Sequence, residues 1–367
     1  MEPVTRHLLR QSYLALRQSA ESTSPLVAAL AGALGATLPP QLEALYDSYF
    51  RVISAVHPNL PVLLAGLHHL ALSGEAPALA RFYPSCGGQF RPGDEAALAD
   101  SVAGVLGEHR ESLLDFLLTY EPRDPEPRLS GAVLLGALAT ADRFGGGLSL
   151  VELGAGDGLA LQFDRYRYAI GERHLGSGPA LLALDLQDPA GTAHRLLEAP
   201  LPGVVGRIGL DPSPINLLDP AERRVSEAFI WPDQVERLAR FRAAADLQAE
   251  CGRPEVRCGI PELDLAGLLV QRYNGMAPGN TLLLVSLLSW SRLDDPAQKR
   301  SALALQTLAA QVQPHKPIAW LQVDRFSPGQ TALELRLHTF GWADLEDRAV
   351  RRLAEAAPDL SWVRWLE

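Results

Sequence analysis

Residues 148–163 read LSLVELGAGDGLALQF. An acid, Glu152, is followed by Gly154, Gly156 and Gly158 at alternate positions, with Ala155 between the first two. Glycines spaced this way let a chain leaving a strand turn sharply and let a ligand reach the main chain. An apolar run follows that reads as a helix, whose first turn would present free N–H groups and a positive dipole end. An acid at the strand end can meet a cationic or hydroxyl-rich ligand. Spacing argues against a nucleotide or NAD enzyme, which stays as a third reading, and excludes a phosphate loop. The dinucleotide fingerprint needs a glycine where Leu159 stands, and no Gly-Lys-Ser/Thr follows to make a phosphate loop.

The pattern E-x-G-x-G-x-G resembles the first motif of the class I S-adenosylmethionine-dependent methyltransferases. That resemblance implies a Rossmann-like sheet and S-adenosylmethionine as cofactor. Gly154, Ala155, Gly156 and Gly158 would approach its methionine part and Glu152 would help orient it. An acid ending the next sheet strand would hold the ribose hydroxyls. Asp211, after VVGRIGL, takes this role if the intervening segment is an insertion; Asp185, after PALLAL, is the alternative. The backbone at Gly259 and Ile260 would meet the adenine. Methyl transfer asks for alignment of a nucleophile and, for some acceptors, a base. The segment SLLSWSRLD after the TLLLVS run lacks the paired prolines of amino-methylating enzymes. Cys86, Cys251 and Cys258 follow Ser, Glu and Arg, so no Pro-Cys nucleophile for cytosine exists. A small-molecule acceptor remains the expectation, with His68, Tyr83, Asp164 and Tyr166 as candidate catalytic groups.

Each candidate has a plain structural reading beside the chemical one. His68 and His69 are adjacent in an apolar helix, so one faces the core, where a satisfied histidine is the commoner outcome. Tyr83, Ser85 and Gly87 lie in FYPSCGG, either a pocket cover or a helix-to-helix turn. Asp164, Arg165 and Tyr166 either line the pocket mouth or anchor the hairpin that follows. Trp231 reads as a packing residue at the start of a long helix, with Asp233 favouring that helix's dipole.

The elements that must position these groups fall into two regions. Residues 1–128 read as successive helices: around Leu8–Leu16, then SPLVAALAGAL, PPQLEALYDSYFRVISAV, NLPVLLAGLHHLAL and one long helix over GDEAALADSVAGVLGEHRESLLDFLL capped by Asp94. The proline- and charge-rich run 121–129 is the candidate linker. Residues 129–367 alternate short β-prone runs with helical ones, as an α/β domain with a mostly parallel sheet does. An antiparallel pair is expected at the end of the sheet. RYRYAIGERHLGSGPALLALDLQ, near 165–187, reads as a hairpin insertion with two arms around GERHLGSG.

The chain also resembles, nearly end to end, a bacterial family of domains of unknown function, number 2332. HHLALSGEAPALARFYPSCGG, VELGAGDGLALQFDRYRY, GLDPSPINLLDP, FIWPDQVERL and the terminal WVRWL carry the resemblance. It implies a helical N-terminal domain joined to a methyltransferase-like α/β domain, with no reaction attached. The family tends to carry His-Ser before the Trp where Leu288-Ser289-Trp290 stands, and Asn-Glu where Pro125-Glu126 stands. A catalytically silent member, acting as a ligand sensor or interaction module, is therefore the rival expectation.

Composition narrows the partners. Of 367 residues 47% are hydrophobic and 21% charged, with 43 acids against 33 bases and a net charge of -10. Both regions are acidic, which offers no electrostatic footprint for nucleic acid or anionic lipid. Only Lys299 and Lys316 are lysines; codon bias explains the arginine excess better than phosphate chemistry does. Three cysteines without CxxC spacing build neither a disulfide framework nor a zinc site, so no metal is expected. No run is long and apolar enough for a membrane span, and the N-terminus lacks a signal-peptide core. These features set the expectation of a cytoplasmic protein whose oligomeric state is open.

Overall fold

The computed structural model describes residues 3–53, 57–313, 315–327, 329–340 and 349–367. The chain forms an α/β protein with an N-terminal helical region. It divides into two compact units. One contains residues 1–125 and 219–241, the other residues 126–218 and 242–367. The boundary after Pro125 lies inside the proline-rich run 121–129. Residues 219–241, a segment from the middle of the α/β sequence, belong to the helical unit.

The helical unit contains α1 (Pro3–Ala20), α2 (Pro25–Thr37), α3 (Pro40–Val52), α4 (Leu60–Leu72), α5 (Pro77–Ala80), α6 (Glu95–Glu108) and α7 (Arg110–Thr119). The helices α1 to α5 each have proline in the first turn, where its missing N–H costs nothing. The third sequence helix extends to Val56; its last three residues, 54–56, lie outside the described residues. The long helix expected over 93–118 is two helices. The chain breaks at His109 (φ -111°, ψ 27°), which ends α6 and starts α7. Leu98, Val102, Val105 and Leu106 on α6 and Leu113, Phe116 and Leu117 on α7 are all buried. Asp94 stands at the start of α6, but its carboxylate accepts from the Arg91 N–H (2.8 Å) and not from the helix. No single helix among the described residues is long and apolar enough to cross a membrane.

In the second unit α8 (Ser130–Phe144) precedes β1 (Leu148–Leu153). Then come β2 (Arg167–Ile170), β3 (Arg173–Leu175), β4 (Leu181–Gln187), α9 (Thr192–Leu196) and β5 (Val204–Asp211). α10 (Pro220–Ala228) belongs to the helical unit, and α11 (Val235–Cys251) begins there and ends in the second. β6 (Glu255–Cys258), α12 (Pro261–Gly275), β7 (Thr281–Leu287), α13 (Asp295–Ala309), β8 (Ile318–Asp324), β9 (Leu333–Phe340), β10 (Val350–Ala356) and β11 (Trp362–Trp365) complete the chain. The strands form one mixed, mostly parallel sheet in the order β3-β2-β4-β11-β10-β9-β8-β7-β1-β5-β6. Antiparallel pairing begins where β9 meets β8, and β9, β10 and β11 form a meander.

The segment 165–187 departs from the expected hairpin. Its two long arms, β2 and β4, are parallel neighbours, and the hairpin is the smaller β2–β3 pair. The chain reverses first at Gly171 and again over 176–180, so β4 returns in the direction of β2. Gly176 and Gly178 make the second reversal possible: a Cβ there would lie 2.1 Å from the Tyr166 carbonyl oxygen and 1.9 Å from that of Arg165.

Strand alternation loads both sheet faces. On one face Val151, Ile208, Leu284 and Trp320 form a core with Leu265, Leu269 and Tyr273 of α12 and Leu305 of α13. On the other, α8 lies close to the sheet. A Cβ at Gly136 would stand 2.6 Å from Leu321, and one at Gly131 2.7 Å from Leu184.

Candidate functional site

β1 lies between β5 and β7 and is parallel to both, with Leu153 level with Leu210 and Ser286. Successive crossovers lead to opposite sides of β1: first to β5 and β6, then to β7 and β8. The carboxyl end of β1 is therefore a topological switch point, where open α/β sheets form their ligand crevice. The glycine loop begins there.

Gly154, Gly156 and Gly158 have φ of +74°, +54° and +76°, a region that favours glycine. Close packing adds to this at Gly154, where a Cβ would meet that of Ser289 at 2.5 Å. The Ser289 hydroxyl donates to the Leu153 carbonyl (2.6 Å), so the loop after β7 closes onto the loop after β1. On the other side Gly209 of β5 admits Ala155; a Cβ there would lie 2.4 Å from the Ala155 Cβ.

Asp211 ends β5 beside this loop. One carboxylate oxygen accepts from the Gly156 N–H and the other from the Ser213 N–H, both at 2.8 Å. A carboxylate has about four acceptor sites, so roughly two remain for hydroxyl groups of a ligand. Asp185 is placed elsewhere: it is exposed on β4, separated from β1 by β11, β10, β9, β8 and β7. Gln248 of α11 donates to the Asp157 carbonyl (2.8 Å), and Ile215 N–H donates to the Gly156 carbonyl (3.1 Å).

Glu152 is buried, and its Oε2 has no hydrogen-bond partner. Burial first, then the nearby Asp157 and Asp211 carboxylates, push its acid well above the usual range, so it holds a proton. Around Gly259 the backbone is engaged: its N–H donates to the Asp211 carbonyl (3.0 Å), and that of Ile260 to the Asp264 carboxylate (2.7 Å). The Ile260 side chain is exposed.

The run after the glycines is not the expected helix. Ala160–Arg165 is a short 3-10 turn interrupted at Gln162, with no α-helical dipole behind it. The loop N–H groups of Gly154, Ala155, Gly156 and Gly158 are taken by Leu210, Asp211 and Ala155 itself. A free helix N-terminus is therefore absent from this loop, and its polarity comes from the carboxylates.

Asp164 forms a two-pronged ion pair with Arg207 of β5, each contact 2.7 Å, and Arg207 also donates to the Leu161 carbonyl. Arg165 donates to the Gly252 carbonyl (2.7 Å). Tyr166 is fully buried; its hydroxyl donates to the Leu159 carbonyl (2.9 Å) and accepts from Gln162. Burial pushes its phenol far above the usual range. These three side chains hold the glycine loop's exit in place. Arg207 and Gln248 escaped the sequence reading, and Ser289 entered it only as part of the run before Trp290. Arg207 left a signal, a lone cation within the β-prone VVGRIGL.

His68 and Tyr83 belong to the helical unit. His68 Nδ1–H donates to the Ala228 carbonyl (3.1 Å), so its Nε2 accepts from the Ser85 hydroxyl (2.7 Å). Tyr83, fully buried, meets the His68 ring edge-on at 5.7 Å, and burial raises its phenol. Ser85–His68 has the contact of a nucleophile with its base. The nearby N–H groups of Ser85, Cys86, Gly87 and Gly88 are all bonded to backbone carbonyls, so no oxyanion donors surround it. Asp233 serves a different helix from the one expected: its carboxylate accepts from Ser24 and from the Leu26 N–H at the start of α2. Among the described residues no group of three or more His, Cys, Asp or Glu side chains could hold a metal ion.

Comparison with known families gives one finding. A family model described as "Uncharacterized protein conserved in bacteria (DUF2332)" matches residues 13–365. Neither the curated proteins nor the solved structures contain a match.

Proposed function

The chain belongs to the DUF2332 family, and on that premise we propose that its sheet unit binds S-adenosylmethionine and serves methyl transfer to a small-molecule acceptor. The observation that carries the reading is the glycine loop at the switch point with Asp211 locked to its Gly156 N–H at 2.8 Å. The fold class of a class I methyltransferase is part of the proposal. The strand order β6-β5-β1-β7-β8, with a glycine loop after the central strand, supports it.

The cofactor would supply an electrophilic methyl group. The chain's own residues bind and orient. The lone pairs left on Asp211 accept from the ribose hydroxyls. The glycines, lacking Cβ atoms, let the methionine part lie against the main chain. Glu152, protonated and buried, keeps a second negative charge away from Asp211. Ile260 offers an apolar surface to the adenine, since its N–H is already engaged.

Calorimetric titration of the folded chain with S-adenosylmethionine and its demethylated product tests the reading. Saturable binding is expected, weakened about tenfold or more in Asp211→Ala, as loss of a charge-assisted hydrogen bond implies. Asp185→Ala is expected to bind as the parent does. Absence of heat at millimolar ligand would sink the cofactor claim.

A second reading, a catalytically silent ligand sensor or interaction module, is favoured by the loop after β7. Its polar groups support structure: Ser289 bonds Leu153, and the Trp290 ring packs on Trp320 at 4.7 Å. Cofactor binding without loss of its methyl group to any member of a broad metabolite pool would select this reading.

A further inference from the structure

We propose that two copies of the chain associate through the edge strand β6, set antiparallel to itself across a two-fold axis, with the exposed side of α12 flanking the joint. β6 is the last strand of the sheet, paired with β5 on one side and with no strand among the described residues on the other. The inference is independent of the cofactor reading: both elements lie in the second unit, and no residue substituted below was placed at the cofactor.

The pairing of β6 with β5 fixes which of its backbone groups are open. Gly259 N–H donates to the Asp211 carbonyl (3.0 Å), so Glu255, Arg257 and Gly259 turn their N–H and C=O groups toward β5. Val256 and Cys258, between them, turn theirs outward, and an open strand edge is a template for another strand. In a two-fold pairing centred on Val256, its N–H and C=O bond the same groups of the second copy. Glu255 then stands opposite Arg257 of the second copy, and Arg257 opposite Glu255. These are the non-hydrogen-bonded positions, where facing side chains come closest. Opposite charges there are favourable and like charges unfavourable. Moving the axis one residue either way sets Arg257 against Arg257, or Glu255 against Glu255. Charges on an edge strand usually block pairing; the order Glu-Val-Arg instead selects one register of self-pairing.

α12 lies on the face of β6 that carries these charges, since Arg257 donates to Gln271 (3.0 Å) as well as pairing with Glu255 in its own strand (2.8 Å). The solvent side of α12 is poor in charge. Leu263 and Val270, 69% and 45% exposed, recur at helical spacing with exposed Ala266, Gly267 and Asn274 around them. Depletion of charge and enrichment of apolar area mark the core of an interface. The occupant that matches both features is a second copy, because another protein's strand would need an acid and a base at this same spacing.

Sedimentation velocity of the full chain at about 100 μM should show a dimer. Glu255→Arg and Arg257→Glu should each weaken self-association about tenfold or more, because the axis counts every like-charge contact twice. Both positions are exposed, so these variants should keep the parent's unfolding temperature. The double variant E255R/R257E inverts the charges and restores their pairing, so it should dimerise as the parent does. A mixture of the two single variants should form a heterodimer, since one chain then offers two cations and the other two anions. Leu263→Asp, on the exposed side of α12, should also weaken association about tenfold. A monomeric parent, single variants or Leu263→Asp that dimerise as well as the parent, or a double variant or mixture that stays monomeric would each overturn the proposal.

Discussion

Glu152 shows how burial changes what a residue can do. A carboxylic acid at a strand end suggests a charged contact with a ligand, yet here it is buried beside two other carboxylates and keeps its proton. Its stability effect has a definite sign. The unfolded chain releases this proton near the ordinary value of 4.5, whereas the folded chain releases it only at higher pH. The contribution is full below the unfolded value and is lost as pH rises through the raised folded one. Glu152→Gln removes the titration and keeps the shape. Its stability to urea should therefore fall less than the parent's as pH rises above the ordinary carboxylate value, and parallel profiles would contradict the assignment. Alternating glycines after an acid identified the loop, and the apolar setting of His68 suggested a satisfied core histidine, which its two hydrogen bonds describe. Asp211 against Asp185 was not legible, because both follow β-prone apolar runs. Sheet order separates them: one ends a strand next to the loop, and the other lies beyond five intervening strands.

At the scale of elements, the periodicities that identified strands and helices were mostly local, and the errors arose where a distant contact decided. The apolar stretch LALQF after the glycines has helical composition but folds as an interrupted 3-10 turn. Its Leu161 and Leu159 backbone carbonyls accept from the Arg207 guanidinium and the Tyr166 hydroxyl. The hairpin reading failed because alternation shows that a run is a strand but not which neighbour it pairs with. Helix α8 is nearly all buried, so it lacks an amphipathic pattern and left little trace in the sequence. What positions it is glycine at the sheet face. Gly136→Val would drive a branched side chain into Leu321, and overpacking of this kind costs about 1–3 kcal/mol. Chemical denaturation should show a loss in that range, and an unchanged midpoint would mean that α8 does not press on β8 as described.

The whole molecule is less linear than its sequence. The helical unit is completed by residues 219–241, which follow β5. α10 supplies the carbonyl of Ala228 that fixes the His68 ring, and Phe229 packs against Phe116. A fragment ending at Pro125 should therefore lack a cooperative thermal transition; a sharp transition would show that the first seven helices suffice. By itself the sequence determined the α/β class, the helical N-terminal region, the change of texture near 121–129 and the place of the glycine loop. These are consequences of local periodicity, proline placement and backbone freedom, all of which act over a few residues. Only the tertiary structure decided which acid stands beside the loop, which strands are neighbours and that residues 219–241 join the helices. Each of those outcomes depends on groups tens to hundreds of residues apart meeting in space, and no local pattern encodes such a meeting.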